Sequence, residues 1–502
     1  MRWCTIRTWL GMIWAPSSGS PAEPLRVRFS PRFVATRTCG LVGLLWLYSL
    51  QAAQESSPPS AESPVEVLLP TPAAPQKKST AHSIQDFGAT GDGTTDDTAA
   101  ILKAINSGLQ PLHFPPGTYR LTKTIEIHLD KSGPLAVSGD GLARLKMDGP
   151  GPALRISGNH HGTADPKTIS GSVWNKERFP TIDGIEIIGH HSDAGGIELH
   201  GTMQATLTRV VIRGVNHAVR LTGRNRNVLL GECHLYDNRG VGVYMDGVNL
   251  HQINIGNCHI SYNRQGGVVC RDSEIRNLHI NGCDLEANVG DGPLAANVLI
   301  DCSRGSVREG VISGCTLQHE RAPNGAANIR FVGASKENPL MVGMFVIADN
   351  ILSDVKTNIH LKHARGVVIE GNNFFEGYDH NLLAENCSNL MIGPNLFDRN
   401  PDQRDSTSKS GIELRDCWDC SLNGLHLNGV QAVSAALLLD RCAWCNITNC
   451  FVADSGESPI ELLNCVSCRI SGCMIRVPKE SGLSRKIRIT GGSKNVVADD
   501  SN

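Results

Sequence analysis

Three segments of this chain lie over one another residue for residue: Gly231-Glu232-Cys233-His234-Leu235-Tyr236-Asp237-Asn238, then Gly256-Asn257-Cys258-His259-Ile260-Ser261-Tyr262-Asn263, then Asn281-Gly282-Cys283-Asp284-Leu285-Glu286-Ala287-Asn288. Cys and Asn thus recur about every 25 residues, a period that marks solenoids, propellers or arrays. Each unit is a set of short alternating apolar runs broken by Gly and Asn, which reads as strand rather than helix. The simplest solid is a coil of β-strands in which each turn stacks on the one before. Such a coil lengthens without needing a wider core, so 502 residues do not demand several globular domains. The 52 glycines and the 5% aromatic content suit tight turns around thin aliphatic layers. A net charge of −2 gives no sign of a nucleic-acid partner.

The first 53 residues read as a signal-peptide region. Arg32 and Arg37 precede an apolar run from Cys39 to Leu50, and Gln51-Ala52-Ala53 follows it. The run is too short for the roughly 20 residues of a membrane span. Cleaved or kept as an anchor, it exports the protein, to the exterior or the periplasm. Residues 54–80 are rich in Pro, Ser, Ala and Glu and read as a disordered linker.

Residues 81–150 read as an N-terminal cap and first coils, and 151–502 as the repeats. Within the cap, Gly88, Gly91 and Gly93 supply turns, and Thr95, Asp96 and Asp97 offer capping oxygens. A helix over about 97–107 follows, with Ala100, Ile101, Ala104 and Ile105 on one face. After it come a strand at Leu112, a Pro115-Pro116-Gly117 turn through Phe114, and a second strand up to Ile127.

The string Asp86-Phe87-Gly88-Ala89-Thr90-Gly91-Asp92-Gly93-Thr94-Thr95-Asp96-Asp97, followed by Phe114 to Tyr119, resembles the opening of the pectate lyase superfamily. The resemblance implies an all-β, single-stranded right-handed parallel β-helix with a short N-terminal capping helix and a carbohydrate-facing surface. It does not fix the reaction. The polygalacturonase branch carries Asn-Thr-Asp, Gly-His-Gly and Arg-Ile-Lys in its groove, and this sequence has none of them.

The pairs Cys417/Cys420, Cys442/Cys445 and Cys465/Cys468 have zinc-like spacing. Yet they sit one coil apart, where other coils hold Leu250 and Ile253, Ile275 and Leu278, or Val342 and Phe345. A position that accepts Leu, Ile, Val, Phe or Cys is a core position. Neighbouring coils are also close enough for disulfides. Asn238, Asn263 and Asn288 read as αL turn residues with amides stacked from coil to coil. Asn350, Asn373 and Asn395 read as later occupants of the cysteine column.

Outward side chains of the strand that restarts each coil carry any chemistry. One column reads Glu198, Arg220, Tyr244, Val269, Leu299, Arg330, His360, Leu383, Glu413, Leu438 and Glu461. A second contains His200, Thr222, Asp246, Arg271, Asp301, Lys362, Glu385, Arg415 and Asp440. Asp246 and Asp301, two coils apart, suit an acid and base pair for inverting hydrolysis. Arg271, Arg330 or Lys362 could instead neutralise a uronate carboxylate, or take a proton, in β-elimination. The expected catalytic set is therefore Asp246, Arg271, Asp301 and Lys362, with Tyr244, Arg330, His360 and Trp174 holding substrate. No resident metal is assigned, although calcium could take the two aspartates as oxygen ligands. His160, His161, His190 and His191 bracket an insertion that carries Trp174, and they read either as metal ligands or as part of a groove wall. The function expected is cleavage of an acidic polysaccharide by elimination or hydrolysis. The alternative is a non-catalytic polysaccharide-binding or adhesion β-helix.

Overall fold

A computed structural model describes residues 82–288, 290, 295–319, 325–338, 341–402, 407–430, 433–455, 457–477 and 486–498. The expected signal peptide and linker lie outside the described residues. From Ile125 onward the chain winds as a coil with three strand segments per turn, as in Val243–Asp246, Asn249–Gly256 and His259–Ser261. Among the described residues every strand pairing is parallel, and from coil to coil the same segments stack on one another. One face is a sheet of fourteen strands, and the other two faces share twenty-eight.

The fourteen-stranded face positions the candidate site, so its strands are numbered here. They are β1 (Ile125–His128), β2 (Gly151–Ser157), β3 (Ala194–His200), β4 (Val219–Thr222), β5 (Val243–Asp246), β6 (Val268–Arg271) and β7 (Ala296–Cys302). The series continues with β8 (Ala327–Gly333), β9 (Val355–Lys362), β10 (Gly377–Glu385), β11 (Gly411–Arg415), β12 (Leu437–Asp440), β13 (Ile460–Leu463) and β14 (Arg488–Thr490).

The interior is filled by alternate residues. Met245, Cys270, Ile300, Phe331 and Leu361 follow one another inward on β5 to β9, each fully buried. Burying such a side chain is worth about 1.5–3 kcal/mol. At the N-terminal end, helix α1 (Thr98–Asn106) buries Ile101, Ala104 and Ile105 and packs on β1. Its preceding carboxylates have local uses. Asp96 accepts from Thr98 N and Oγ1 at 3.1 and 2.6 Å, and Asp97 from Thr90 N at 2.7 Å.

The cysteine positions stack as buried columns. Cys233, Cys258, Cys283 and Cys315 share one, which passes to Asn350, Asn372 and Asn395, then Leu425, Cys450 and Cys473. Asn372, not Asn373, holds that position; Asn373 is the partly exposed residue that opens the next strand. Cys387, Cys417, Cys442 and Cys465 continue the column that holds Leu250, Ile275 and Val307. The fifteen cysteines of the described residues are buried free thiols. Burial pushes the Cys270 thiol well above its ordinary range and Cys302 up to about 12.

The repeating asparagines do more than turn the chain. Asn238 donates to Asn263 at 2.8 Å, and the run continues through Asn288, Asn297, Asn328 and Asn358 to Asn381, with amide contacts of 2.7–3.0 Å. The αL residue sits one place earlier, at Asp237, Tyr262 and Ala287. The asparagines therefore serve as an internal ladder that satisfies buried carbonyls, and the αL role expected of them belongs to their predecessors.

Candidate functional site

Both outward columns stack in the expected order. Glu198, Arg220, Tyr244, Val269, Leu299, Arg330, His360, Leu383 and Glu413 pair strand by strand. Asp246, Arg271, Asp301, Val332, Lys362, Glu385, Arg415 and Asp440 do the same two residues on. Charge of both signs alternates along the face, and the members divide into two groups.

The first group lies on β4 to β7. Arg220 closes on Asp246 at 2.5 Å and approaches Glu198 at 3.4 Å. Asp301 accepts from Ser303 N at 3.0 Å and Ser303 Oγ at 2.6 Å, and Arg271 Nε stands 3.5 Å from its other oxygen. Tyr244 rests against His217, ring centroids 4.8 Å apart. Burial, then the Asp246 charge, raises the tyrosine's pKa; burial, then Arg220, brings His217 down to about 4. Val269 and Leu299 point outward, yet they are 1% and 2% exposed, because they pack with Val241 and with Ala296 and Ala327, which open β7 and β8, in a small apolar cluster with Tyr244 at its edge. Asp246 is closed by Arg220, whereas Asp301 is held by Ser303, and the two aspartates stand on either side of β6. Among the described residues, no three His, Cys, Asp or Glu side chains converge to hold a metal.

The second group lies on β8 to β11. Arg330 Nη1 donates to His360 Nδ1 at 2.6 Å, and His360 Nε2 donates to Glu385 at 2.8 Å. Both ring nitrogens of His360 are thus used. Its pKa is lowered, by burial first, and only partly restored by Glu385. The His360 hydrogen bond holds Glu385 at about 2, and burial brings Arg330 down to about 10. Arg415 lies 3.5 Å from Glu385 and holds Glu413 through two nitrogens. His380 Nε2 reaches the same carboxylate at 2.9 Å. Burial works against ionisation of Glu413, but these hydrogen bonds outweigh it and its pKa is lowered overall. Since a carboxylate only accepts, His380 donates from Nε2, and it is the tautomer with that proton alone that has Nδ1 as an acceptor.

A cleft of about 280 Å³ opens beside this second group, between β10 to β12 and the segments leading into them. Asp379, His380, Lys409, Glu413 and Arg415 line it, with Val433, Ala435 and Leu438 as an apolar wall. Lys409 is exposed and has no ion pair among the described residues.

The structure therefore brings Tyr244, Asp246, Arg271 and Asp301 together, and separately Arg330, His360 and Lys362. Lys362 is two strands beyond Asp301, beside Glu385. Trp174 joins neither group. It packs with Ile169, Val173 and Met203, with the Arg178 guanidinium 5.6 Å above its ring. Of the paired histidines, His160 is buried and brought down to about 4, by burial first and then Arg226 and Arg224. His380 escaped the column count because β10 carries a bulge: His380 and Leu382 face the consecutive residues Gly411 and Ile412. His217 lies in a turn, where no periodicity marks it.

Residues 81–149 match the family described as rhamnogalacturonase A/epimerase, pectate lyase-like, and residues 170–298 match the right handed beta helix region. The first of these segments is thus pectate lyase-like, and the second is a right-handed β-helix region. A probable glucan endo-1,3-beta-glucosidase of Arthroderma benhamiae is 33% identical over 116 residues, 19% of this chain. The match spans only 12% of that relative's length. Similar solved structures include tailspike protein 3 of bacteriophage CBA120, with a TM-score of 0.49 and 14% identity over 83% of this chain and 61% of that one. A mannuronan C-5 epimerase A-module of Azotobacter vinelandii scores 0.46 at 13% identity, covering 83% of this chain and 99% of the module.

Proposed function

We propose that this protein is a carbohydrate-active enzyme that accepts an acidic polysaccharide along the fourteen-stranded face and breaks it by β-elimination beside the cleft. The observation that carries this reading is the His380–Glu413 pair at 2.9 Å on the cleft wall, with Lys409 on the same wall. Glu413 holds the imidazole by Nε2 and leaves Nδ1 to take the proton next to a uronate carboxylate. Lys409 opposes the charge that develops on that carboxylate. The electron pair released forms the carbon–carbon double bond and expels the glycosidic oxygen, which takes up a proton. The products are an unsaturated uronate end and a new reducing end.

Elimination is favoured over hydrolysis because Glu385 and Glu413, beside the cleft, are held by Arg415 and by histidines and are lowered in pKa, which suits neither to protonate a leaving oxygen. The glucan named for the fungal relative is a neutral polymer. The cations from Arg271 to Lys409 are the reason for choosing an acidic one here. Export through the N-terminal apolar run would bring the protein to such a substrate.

The test is a panel of uronate-containing and neutral polysaccharides, followed by ultraviolet absorbance for unsaturated uronate and by reducing-end release. Elimination gives both signals, and His380→Ala should lower the rate by about 10²–10⁴, the usual contribution of a positioned base. Reducing ends without the absorbance would overturn elimination, and an unaffected His380→Ala would remove the assigned base.

A further inference from the structure

Six arginines project from the fourteen-stranded face, and five of them are closed. Arg155, Arg220, Arg330, Arg415 and Arg488 each donate hydrogen bonds to neighbouring carboxylates, carbonyls or a histidine. Arg271 differs. Its nearest carboxylate oxygen, on Asp301, is 3.5 Å from Nε, beyond the 2.7–3.2 Å of an N–H···O bond. Its side chain is 43% exposed, and Asp301 turns its other oxygen to Ser303. The guanidinium fork therefore keeps donors that nothing among the described residues takes. A planar fork is the group best shaped to receive a carboxylate through two parallel bonds.

Beside it, on β5, the Tyr244 ring forms the edge of the outer apolar cluster and is steadied by His217. An aromatic face next to a free guanidinium offers a sugar ring both of its needs: a surface for its C–H groups and a partner for its carboxylate. From β6 to the Arg415 strand β11 is five inter-strand steps, or about 24 Å. Cationic or ring-nitrogen groups mark the intervening path at Arg330, His360, Lys362 and His380, and Lys362 is exposed.

We propose that Tyr244 and Arg271 form a separate holding site for a uronate unit of the same chain that reaches the cleft, so that long oligomers engage both sites and short ones only the cleft. This rests on the acidic-polysaccharide reading above. Holding at a distance adds affinity only for a ligand long enough to span both sites. Asp246 and Arg220, already closed on each other, frame the site and do not contact the ligand.

The full-length protein is titrated with uronate oligomers of about three and about ten units, and cleavage of each is followed by unsaturated-uronate absorbance. Arg271→Gln should weaken binding of the long oligomer about tenfold and that of the short one far less, with Arg271→Lys falling between wild type and Arg271→Gln on the long oligomer. Tyr244→Ala should act in the same length-selective way. Equal losses for both lengths, or none for either, would overturn the holding site while leaving the cleft reading intact. If the wild-type protein neither binds nor cleaves any uronate oligomer, both readings fall together.

Discussion

Asn328→Ala should be among the most damaging single substitutions in this chain. Asn328 is wholly buried and sits inside the amide ladder, between Asn297 and Asn358. Its amide nitrogen contacts Leu317 O at 3.0 Å, Ser353 O at 2.9 Å and Asn358 Oδ1 at 2.7 Å, and its oxygen accepts from Asn297 at 2.8 Å. Asn297 keeps a second acceptor in Gln318 O, and Leu317 O still accepts from Ser353 N. Asn358 Oδ1 would be left without its donor in a site with no water access. A buried group deprived of its partner costs about 1–3 kcal/mol, and each lost net hydrogen bond about 1 kcal/mol more. The expected loss is about 4 kcal/mol. Asn328→Asp should be worse, since it adds an unpaired charge to the same place. Urea unfolding followed by circular dichroism and by fluorescence measures the change. The two probes also report whether the coils still melt together, as long repeat arrays do not always do. Asn373→Ala, one residue from the second asparagine column and partly exposed, should stay within about 0.5 kcal/mol of wild type. An Asn328→Ala protein within about 1 kcal/mol of wild type would refute the view that the ladder's hydrogen bonds support the coil.

Other consequences can be checked in the same protein. A methyl group at Gly310 would stand 2.1 Å from the Phe345 ring, so Gly310→Ala should cost about 1–3 kcal/mol in thermal or urea unfolding. Phe345→Leu in the same chain should recover part of that loss; strictly additive costs would show that the two positions do not compete for space. His217, ordinarily near 6.5 and here at about 4, binds its proton less readily in the folded chain. Its contribution, on the order of 3 kcal/mol, is therefore complete above pH 6.5 and lost as pH falls towards 4. His217→Gln should flatten that part of the stability profile, and an unchanged slope would place the proton elsewhere. The buried thiols should resist a water-soluble thiol reagent until the coil unfolds; rapid labelling of the native protein at Cys417, Cys442 or Cys465 would contradict their place in the core.

The register of the fourteen-stranded face was legible because an alternating strand leaves only two ways to face, and the apolar set chose between them. Asp246, Arg271 and Asp301 follow in order for that reason. Partner choice was not legible. Whether Asp246 meets Arg220 or Arg271 depends on side-chain reach across a coil, which alternation does not encode. Val269 and Leu299 were rightly placed on the outer surface, but their burial comes from packing with Val241, Ala296 and Ala327, which the two outward columns do not include. His380 was hidden by the bulge in β10, since one extra residue breaks a count of two. The asparagine ladder showed only three of its seven members. Asn297, Asn328, Asn358 and Asn381 enter it from β7 to β10, a different strand of the coil from the one where the pattern was first visible.

The column that runs through Cys233 changes occupant from cysteine to asparagine to leucine and back to cysteine, while its place in each turn stays fixed. Inheritance in such a molecule works by whole turns. Removing or duplicating one complete coil leaves every column continuous, whereas losing half a coil sets thiols against amides and outer charges against the interior. Lineages of this architecture should therefore differ in length by entire turns, and a new function can arise by changing how many turns separate two unchanged surfaces.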